Sequence, residues 1–307
     1  MLTCRNHGKL IDDKAREEEY PEALLLAFKH EHENRVRRAT ERIDDAQTHV
    51  LLLQGPIDGQ DVSIHPTAAH RAILPRYPAE EHPLVIDLSG MKLQAEGEAF
   101  FTLMAESITQ QLEAILARRA GTSRVHHLSV FALAPIPLLI HTGRCLGDID
   151  RVDLYQRHRD QQDWAWKEDE SADLFYEVIT PEPEADSERP IACLFSISGW
   201  MSRERVTMAL GREPLIYELR AREPGRDFLR SRKRLELFGY QVRKLLVALR
   251  DAHDRHKPIH IFPALPAPMA IEFGRSIKSF DTPFIVYEYQ NSKRKCVPAL
   301  MVNAARR

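Results

Sequence analysis

The chain has 307 residues, 43% hydrophobic and 29% charged, and its 43 basic and 45 acidic side chains leave a formal net charge of −2. That length predicts two domains or one large one with a sizeable core, and the balance of charge gives no sign of a nucleic-acid coat protein while leaving room for a local basic pocket. No apolar run approaches the roughly 20 residues that span a bilayer, so no membrane is expected.

The start carries no basic-then-apolar signal peptide. Cys4, Cys145, Cys193 and Cys296 are scattered without CxxC pairing, which predicts a reducing, cytoplasmic setting rather than a disulfide framework. In chain order, Tyr20-Pro21 opens a helical run to about Arg42, rich in Glu, Ala, Leu and Arg. From His49, HVLLLQGPIDGQDVSI reads as an apolar strand, a Gly/Pro/Asp turn and a second strand-like alternation. PLVIDL at 83–88 is another short β run. Residues 96–119 form an amphipathic helix with Phe100, Leu103, Met104, Ile108, Leu112, Ile115 and Leu116 on its apolar side. A Pro/acidic stretch at 180–190, TPEPEADSERP, is the best internal boundary. Beyond it come a strand with a Gly turn (192–206), LIYEL (215–219), a helix (226–253), the strand PFIVYEY and a last strand-like run at 298–302. The expected organisation is an arm at 1–42 and two α/β lobes at 46–180 and 190–305.

The lobes repeat one another. LSVFALAPIPLLIHTGR at 128–144 aligns without a gap on IHIFPALPAPMAIEFGR at 259–275, matching Phe131 to Phe262, Pro135 to Pro266, Pro137 to Pro268, Ile140 to Ile271, Gly143 to Gly274 and Arg144 to Arg275. Each copy reads as a buried parallel strand, a tight Ala/Pro loop and a helix, with proline where an amide hydrogen has no intrahelical partner to lose. A weaker echo sets Gly55 against Gly199 and Val62 against Val206. The outline is two Rossmann-like units fused into a pseudo-dimer, with Phe131, Phe262, Leu133 and Ile140 in the core.

The fingerprints GxGxxG, GxxxxGK[ST], GxSxG and HExxH are absent from the lobes, which argues against nicotinamide and P-loop enzymes. Binding chemistry is present instead. Gln156, Arg157, His158 and Arg159 follow a strand ending at Tyr155, placing two guanidiniums at the carboxyl edge of a sheet, where open α/β sheets bind ligands. Trp164, Trp166 and Trp200 are stacking platforms if exposed. Gln54 and Gly55 in the first lobe, and Ser198 and Gly199 in the second, bring backbone N–H groups toward the same edge, with Pro135, Ala264 and Pro266 at the corners and Tyr287 as counterpart of Tyr155. The plainer alternative for the arginines is a solvated strand end, and for the tryptophans core packing.

The opening resembles the C-terminal end of an HNH endonuclease domain, C-x-N-C/H-H-K-L-I-D followed by Y-x-x-E-L-L-x-x-K-x-x-H-E. Cys4, Asn6, His7, Lys9, Leu10, Ile11 and Asp12 match, as do Tyr20, Leu24, Leu25, Lys29, His32 and Glu33. Gly8 stands where the metal-binding histidine usually lies, and the upstream ββ portion with the general-base histidine is missing. Cys4 and His7 are therefore at most a remnant metal site, and Mg and double-stranded DNA are expected only with a complete HNH domain.

Residues 46–305 resemble the SAVED domain. The motifs are F-A-L-A-P-I-P-L-L-I-x-x-G, V-D-L-Y-Q-R-H-R-D and W-x-W in the first lobe, and H-I-F-P-A-x-P-A-x-x-A-I-E-x-G-R in the second. The resemblance implies two fused CARF-like lobes, needing no cofactor, that bind a cyclic di- or trinucleotide in bacterial anti-phage (CBASS) defence. It also implies a chain that oligomerises on binding and activates a linked HNH nuclease. Two other readings stay open: a ring nuclease assisted by His158 or His141, and an interaction scaffold with a dead pocket.

Overall fold

In the computed structural model, the described residues are Lys9, Asp13, 19–40, 46–57, 59–89, 97–117, 127–147, 149, 151–160, 163–167, 175–182, 188–291 and 293–303. Cys4 and His7 lie outside them. The chain divides into two units, 1–47 with 73–77, and 48–72 with 78–307.

The first unit holds α1 (Glu22–Thr40). Pro21 precedes it, and the Pro21 carbonyl accepts from the amides of Leu24 and Leu25, so the helix begins as a proline-led turn does. Leu26 and Phe28 on this helix are 55% and 48% exposed.

The second unit holds the two α/β sheets, apart from Gln47 and Tyr77 at their margin. In chain order the first lobe has β1 (Gln47–Gln54), α2 (Pro66–Ala72), β2 (Tyr77–Pro78), β3 (Leu84–Asp87), α3 (Glu98–Ala117), β4 (Leu128–Leu133), α4 (Ile136–Leu146) and β5 (Val152–Tyr155). Its sheet runs β2-β1-β4-β5, with β3 also paired to β1. The pairings of β1 with β3 and β4, and of β4 with β5, are parallel. The second lobe has β6 (Tyr176–Ile179), β7 (Ile191–Ser196), α5 (Arg203–Leu210), β8 (Leu215–Ala221), α6 (Arg232–Ala252), β9 (Ile259–Ala264), α7 (Ala267–Ser276), β10 (Phe284–Gln290) and β11 (Lys295–Val302). Its sheet runs β11-β10-β9-β7-β8-β6, parallel at the centre and antiparallel at both edges. The central strands are apolar along nearly their whole length because both faces are covered, as in β7, where all six residues are buried.

The repeated segment folds as its spacing predicts: β4 turns through Pro135 into α4, and β9 through Pro266 into α7, with proline as the N-cap of each helix. Internal equivalence extends to side chains. Phe131 stacks on Tyr155 at 4.4 Å, and Phe262 on Tyr287 at 4.3 Å. The lobes meet where α4 crosses α7. A Cβ on Gly143 would stand 2.0 Å from the Ile271 carbonyl oxygen, and a Cβ on Gly274 2.0 Å from that of Ile140. Backbone meets backbone there, a contact only glycine permits.

Three expectations change. Among the described residues no strand lies between Gly55 and α2, which starts at Pro66, and in the second lobe Ser202 caps α5 through its Oγ, which accepts from Arg205 N. The helix expected from residue 226 begins at Arg232, since the Ser231 hydroxyl accepts from Arg234 N and fixes the start there. Finally, β6 pairs with β8, so the second sheet begins ahead of the 180–190 linker and residues 176–179 leave the predicted first lobe.

Candidate functional site

The carboxyl ends of the parallel strands carry the predicted corners. In the first lobe, Gly55 N donates to Leu133 O at 2.9 Å, binding the corner after β1 to the corner after β4. A Cβ at Gly55 would meet Leu88 at 3.3 Å, so this glycine serves close packing. The Gln54 amide donates to Asp87 Oδ2 at 2.8 Å while its carbonyl accepts from Ile64 N at 3.0 Å. Ser89, above all through its hydroxyl, holds the Asp87 carboxyl below the usual carboxylate range. In the second lobe Ser198 N donates to Ala264 O at 2.9 Å. The amides of Gly55 and Ser198, expected to face a ligand, thus close backbone bonds within each lobe. Gly199 differs: a Cβ there would meet nothing within 4 Å, so this corner is open.

The aromatic residues divide. Trp164 is 3% exposed and lies edge-on to Phe131 at 5.2 Å, so it is core and not a stacking platform. Tyr287 is likewise buried, with its hydroxyl 3.1 Å from His260 Nδ1. Trp200 is 61% exposed and has the Arg220 guanidinium over its ring at 5.9 Å. Arg220 is aligned by Glu177, to which its Nη2 donates at 2.8 Å. Beneath Trp200, the buried Ser196 hydroxyl donates to Glu218 Oε1 at 2.7 Å and accepts from Met201 N at 3.1 Å, which fixes the turn. Arg220 and Glu218 escaped sequence reading because their alternation in β8 resembles any edge of a strand.

The segment after β5 holds the densest polar chemistry. Arg157 and Arg159 are exposed, whereas His158 between them is buried. Four buried polar atoms in this segment have no protein partner: Gln156 Oε1, His158 Nε2, Asp163 Oδ1 and Trp166 Nε1. His158 N donates to Asp163 O at 2.8 Å, and the His158 and Trp166 rings meet edge to face at 6.2 Å. Burial, with Lys167 adding to it, pushes His158 below the usual imidazole range, favouring the neutral ring. Buried groups of this kind are nearly always satisfied, so four in one short segment call for water or a ligand carrying both donors and acceptors.

Pro135, Pro266 and Ala264 sit at the corners themselves, at the head of the two helices that cross at the glycines. Among the described residues, no group of three or more His, Cys, Asp or Glu is placed to hold a metal ion. Nor is any described helix long and apolar enough to cross a membrane.

Residues 108–302 match the family model described as SAVED, the SMODS-associated and fused to various effectors sensor domain. The chain is similar in fold to the Acinetobacter baumannii Cap4 SAVED/CARF-domain containing receptor with the cyclic trinucleotide 2'3'3'-cAAA, at a TM-score of 0.55 and 12% identity over 84% of this chain and 52% of that one. The same receptor with 3'3'3'-cAAA gives 0.55 and 12% over 89% and 56%. The Moraxella osloensis Cap4 SAVED/CARF-domain containing receptor gives 0.50 and 10% over 86% and 51%. The chain therefore spans about half the length of these structures, and at such identity the likeness is one of fold. No curated protein sequence matches it significantly.

Proposed function

The chain belongs to the SAVED family, and on that premise we propose that it senses a cyclic oligonucleotide, a cyclic di- or trinucleotide, held at the carboxyl edge of its two lobes. The observation that carries this reading is the stretch after β5, where Arg157 and Arg159 are exposed and buried polar atoms of Gln156, His158, Asp163 and Trp166 have no protein partner among the described residues. Arg157 and Arg159 pair with phosphodiester oxygens, Trp200 stacks on a base, and the orphaned donors and acceptors meet base edges.

Signalling follows from where the corners sit. Pro135 and Pro266 head α4 and α7, the helices whose backbones touch at Gly143 and Gly274. A ring engaging both corners acts on the lobe junction, and any difference in its affinity between two junction geometries shifts their populations. The favoured geometry exposes a self-associating surface, and a DNA-cutting effector joined to the chain is switched on by proximity. The HNH resemblance of residues 1–42 supports an effector of that class, with Mg entering only through a complete domain.

Calorimetric titration with a panel of cyclic di- and trinucleotides tests this, with light scattering alongside for assembly. Binding by one ring, weakened about tenfold in each of Arg157→Ala and Arg159→Ala, is the expected result. A folded protein that binds no member of the panel overturns it. Hydrolysis of the ring is the second reading, favoured by His158, a buried imidazole that burial holds below its usual range and whose Nε2 lacks a partner. Linear products after incubation, lost in His158→Ala, would carry it.

A further inference from the structure

A polar cavity of about 430 Å³ lies between the lobes, walled by the C-terminal half of α6, the end of α7 with the residues just after it, and Gly147 and Ile149 after α4. It is at the opposite edge from the corners, because α7 runs away from Pro266 for ten residues, about 15 Å at the helical rise. Among the described residues, four cationic side chains line it, Arg243, Arg250, Arg275 and Lys278, against one carboxylate, Glu272. Glu272 is shared thinly, reaching Arg243 at 3.5 Å and Arg275 at 3.4 Å. Asp281 answers Arg250 at 2.7 Å. Arg275 Nη2 donates to Ile149 O at 2.8 Å, but its Nε is buried with no partner.

A cation near a helix C-terminus offsets the macrodipole, which accounts for one such residue on each helix. It does not account for four converging on one cavity with a guanidinium N–H left without an acceptor. At the rim, Phe280 is 53% exposed, with the Arg250 guanidinium over its ring at 4.6 Å. The volume falls in the range of small-ligand sites.

We infer that this cavity is a second, separate site for a small polyphosphate-bearing ligand, with phosphates among Arg243, Arg275 and Lys278. If the ligand is a nucleotide, its base lies on the Phe280 ring; if it is inorganic polyphosphate, Phe280 plays no part. Guanidiniums fork onto phosphate oxygens, and several cations lining one cavity suit a ligand that carries more negative charge than a single carboxylate.

The test titrates the full chain with inorganic tripolyphosphate and, separately, with ATP, adenosine serving as the uncharged control. Both anions should bind, weaken as salt rises, and lose about tenfold or more in affinity in Arg243→Ala/Lys278→Ala. Arg157→Ala/Arg159→Ala should leave this binding intact, which separates the site from the cyclic-nucleotide reading. Phe280→Ala weakens ATP alone for a nucleotide site and neither anion for an inorganic one. A folded wild-type chain that binds neither anion, or equal affinity in wild type and the Arg243/Lys278 double variant with unchanged melting temperature, overturns the inference.

Discussion

Gly143 and Gly274 each face the backbone of the other's helix, and a methyl group on either would stand 2.0 Å from a carbonyl oxygen, of Ile271 and Ile140 respectively. They occupy the same position in the two copies of the repeated segment. The pseudo-dyad of the sequence thus becomes a physical axis at the α4–α7 crossing.

Alanine at either glycine must push two helices apart, since a backbone oxygen has nowhere to rotate. Gly143→Ala and Gly274→Ala should each cost about 3 kcal/mol or more. Gly239→Ala meets side-chain atoms of flexible residues, Glu272 Oε1 at 2.8 Å and Arg243 Nη1 at 3.3 Å, and Gly199→Ala meets nothing within 4 Å. Urea midpoints should rank the four with Gly199→Ala closest to wild type, and equal midpoints throughout would contradict the crossing.

The tryptophans should separate cleanly. Trp164→Ala empties a buried site against Phe131 and should cost about 3–5 kcal/mol. Trp200→Ala removes an exposed ring with one cation above it and should cost under about 1 kcal/mol. In the titration with the cyclic nucleotide, Trp200→Ala should nonetheless weaken affinity by about 1–3 kcal/mol.

Asp153 ties the lobes electrostatically, accepting from Arg232 Nη1 at 2.6 Å while His127 Nε2 lies at 3.3 Å. Burial works to raise this carboxyl, but the His127 bond and the Arg232 charge outweigh it and hold it at about 2. A depressed carboxylate contributes stability above its unfolded value of 3.8 that is lost as pH falls from there toward about 2. Asp153→Asn should therefore be about 2 kcal/mol less stable than wild type near neutrality. That gap should close at about pH 2, which paired denaturant melts across the range would reveal.

The caps make a smaller claim. Ser231 is buried and its hydroxyl accepts from Arg234 N at 3.3 Å, opening α6 one residue before the Arg232 that reaches Asp153. Ser231→Ala should cost about 1 kcal/mol, and Ser231→Asp, which keeps an acceptor, should restore most of it in thermal melts.

Much of this architecture is legible in the primary structure because its signals are local. Apolar runs before Ala/Pro turns predict parallel strands feeding helices, and two copies at one offset predict two lobes. What stayed hidden depends on partners distant in sequence. Trp164 sits among polar neighbours, and nothing local says that Phe131, on a strand more than thirty residues earlier, receives it. The pairing of β6 with β8 spans the linker that looked like a boundary. Gly143 and Gly274 were visible as matching letters, but their reason lies on the opposing helix. At the site, Arg157 and Arg159 were readable as a basic strand end, while the orphaned atoms of Gln156, Asp163 and Trp166 emerge only once burial is known.

Asn303, in the left-handed backbone region at φ 62, accepts from Arg144 Nε at 3.2 Å and donates to the carbonyls of Lys278 and Asp281. It follows β11, which touches both α3 and α4 of the first lobe. A growing polypeptide therefore holds the α4 helix without its Asn303 contact until the ribosome has added the 159 residues separating Arg144 from Asn303. At ordinary elongation speeds that wait is about 10–30 s. Nascent chains of this protein should lean on chaperones through that interval and release them only when the final strand emerges.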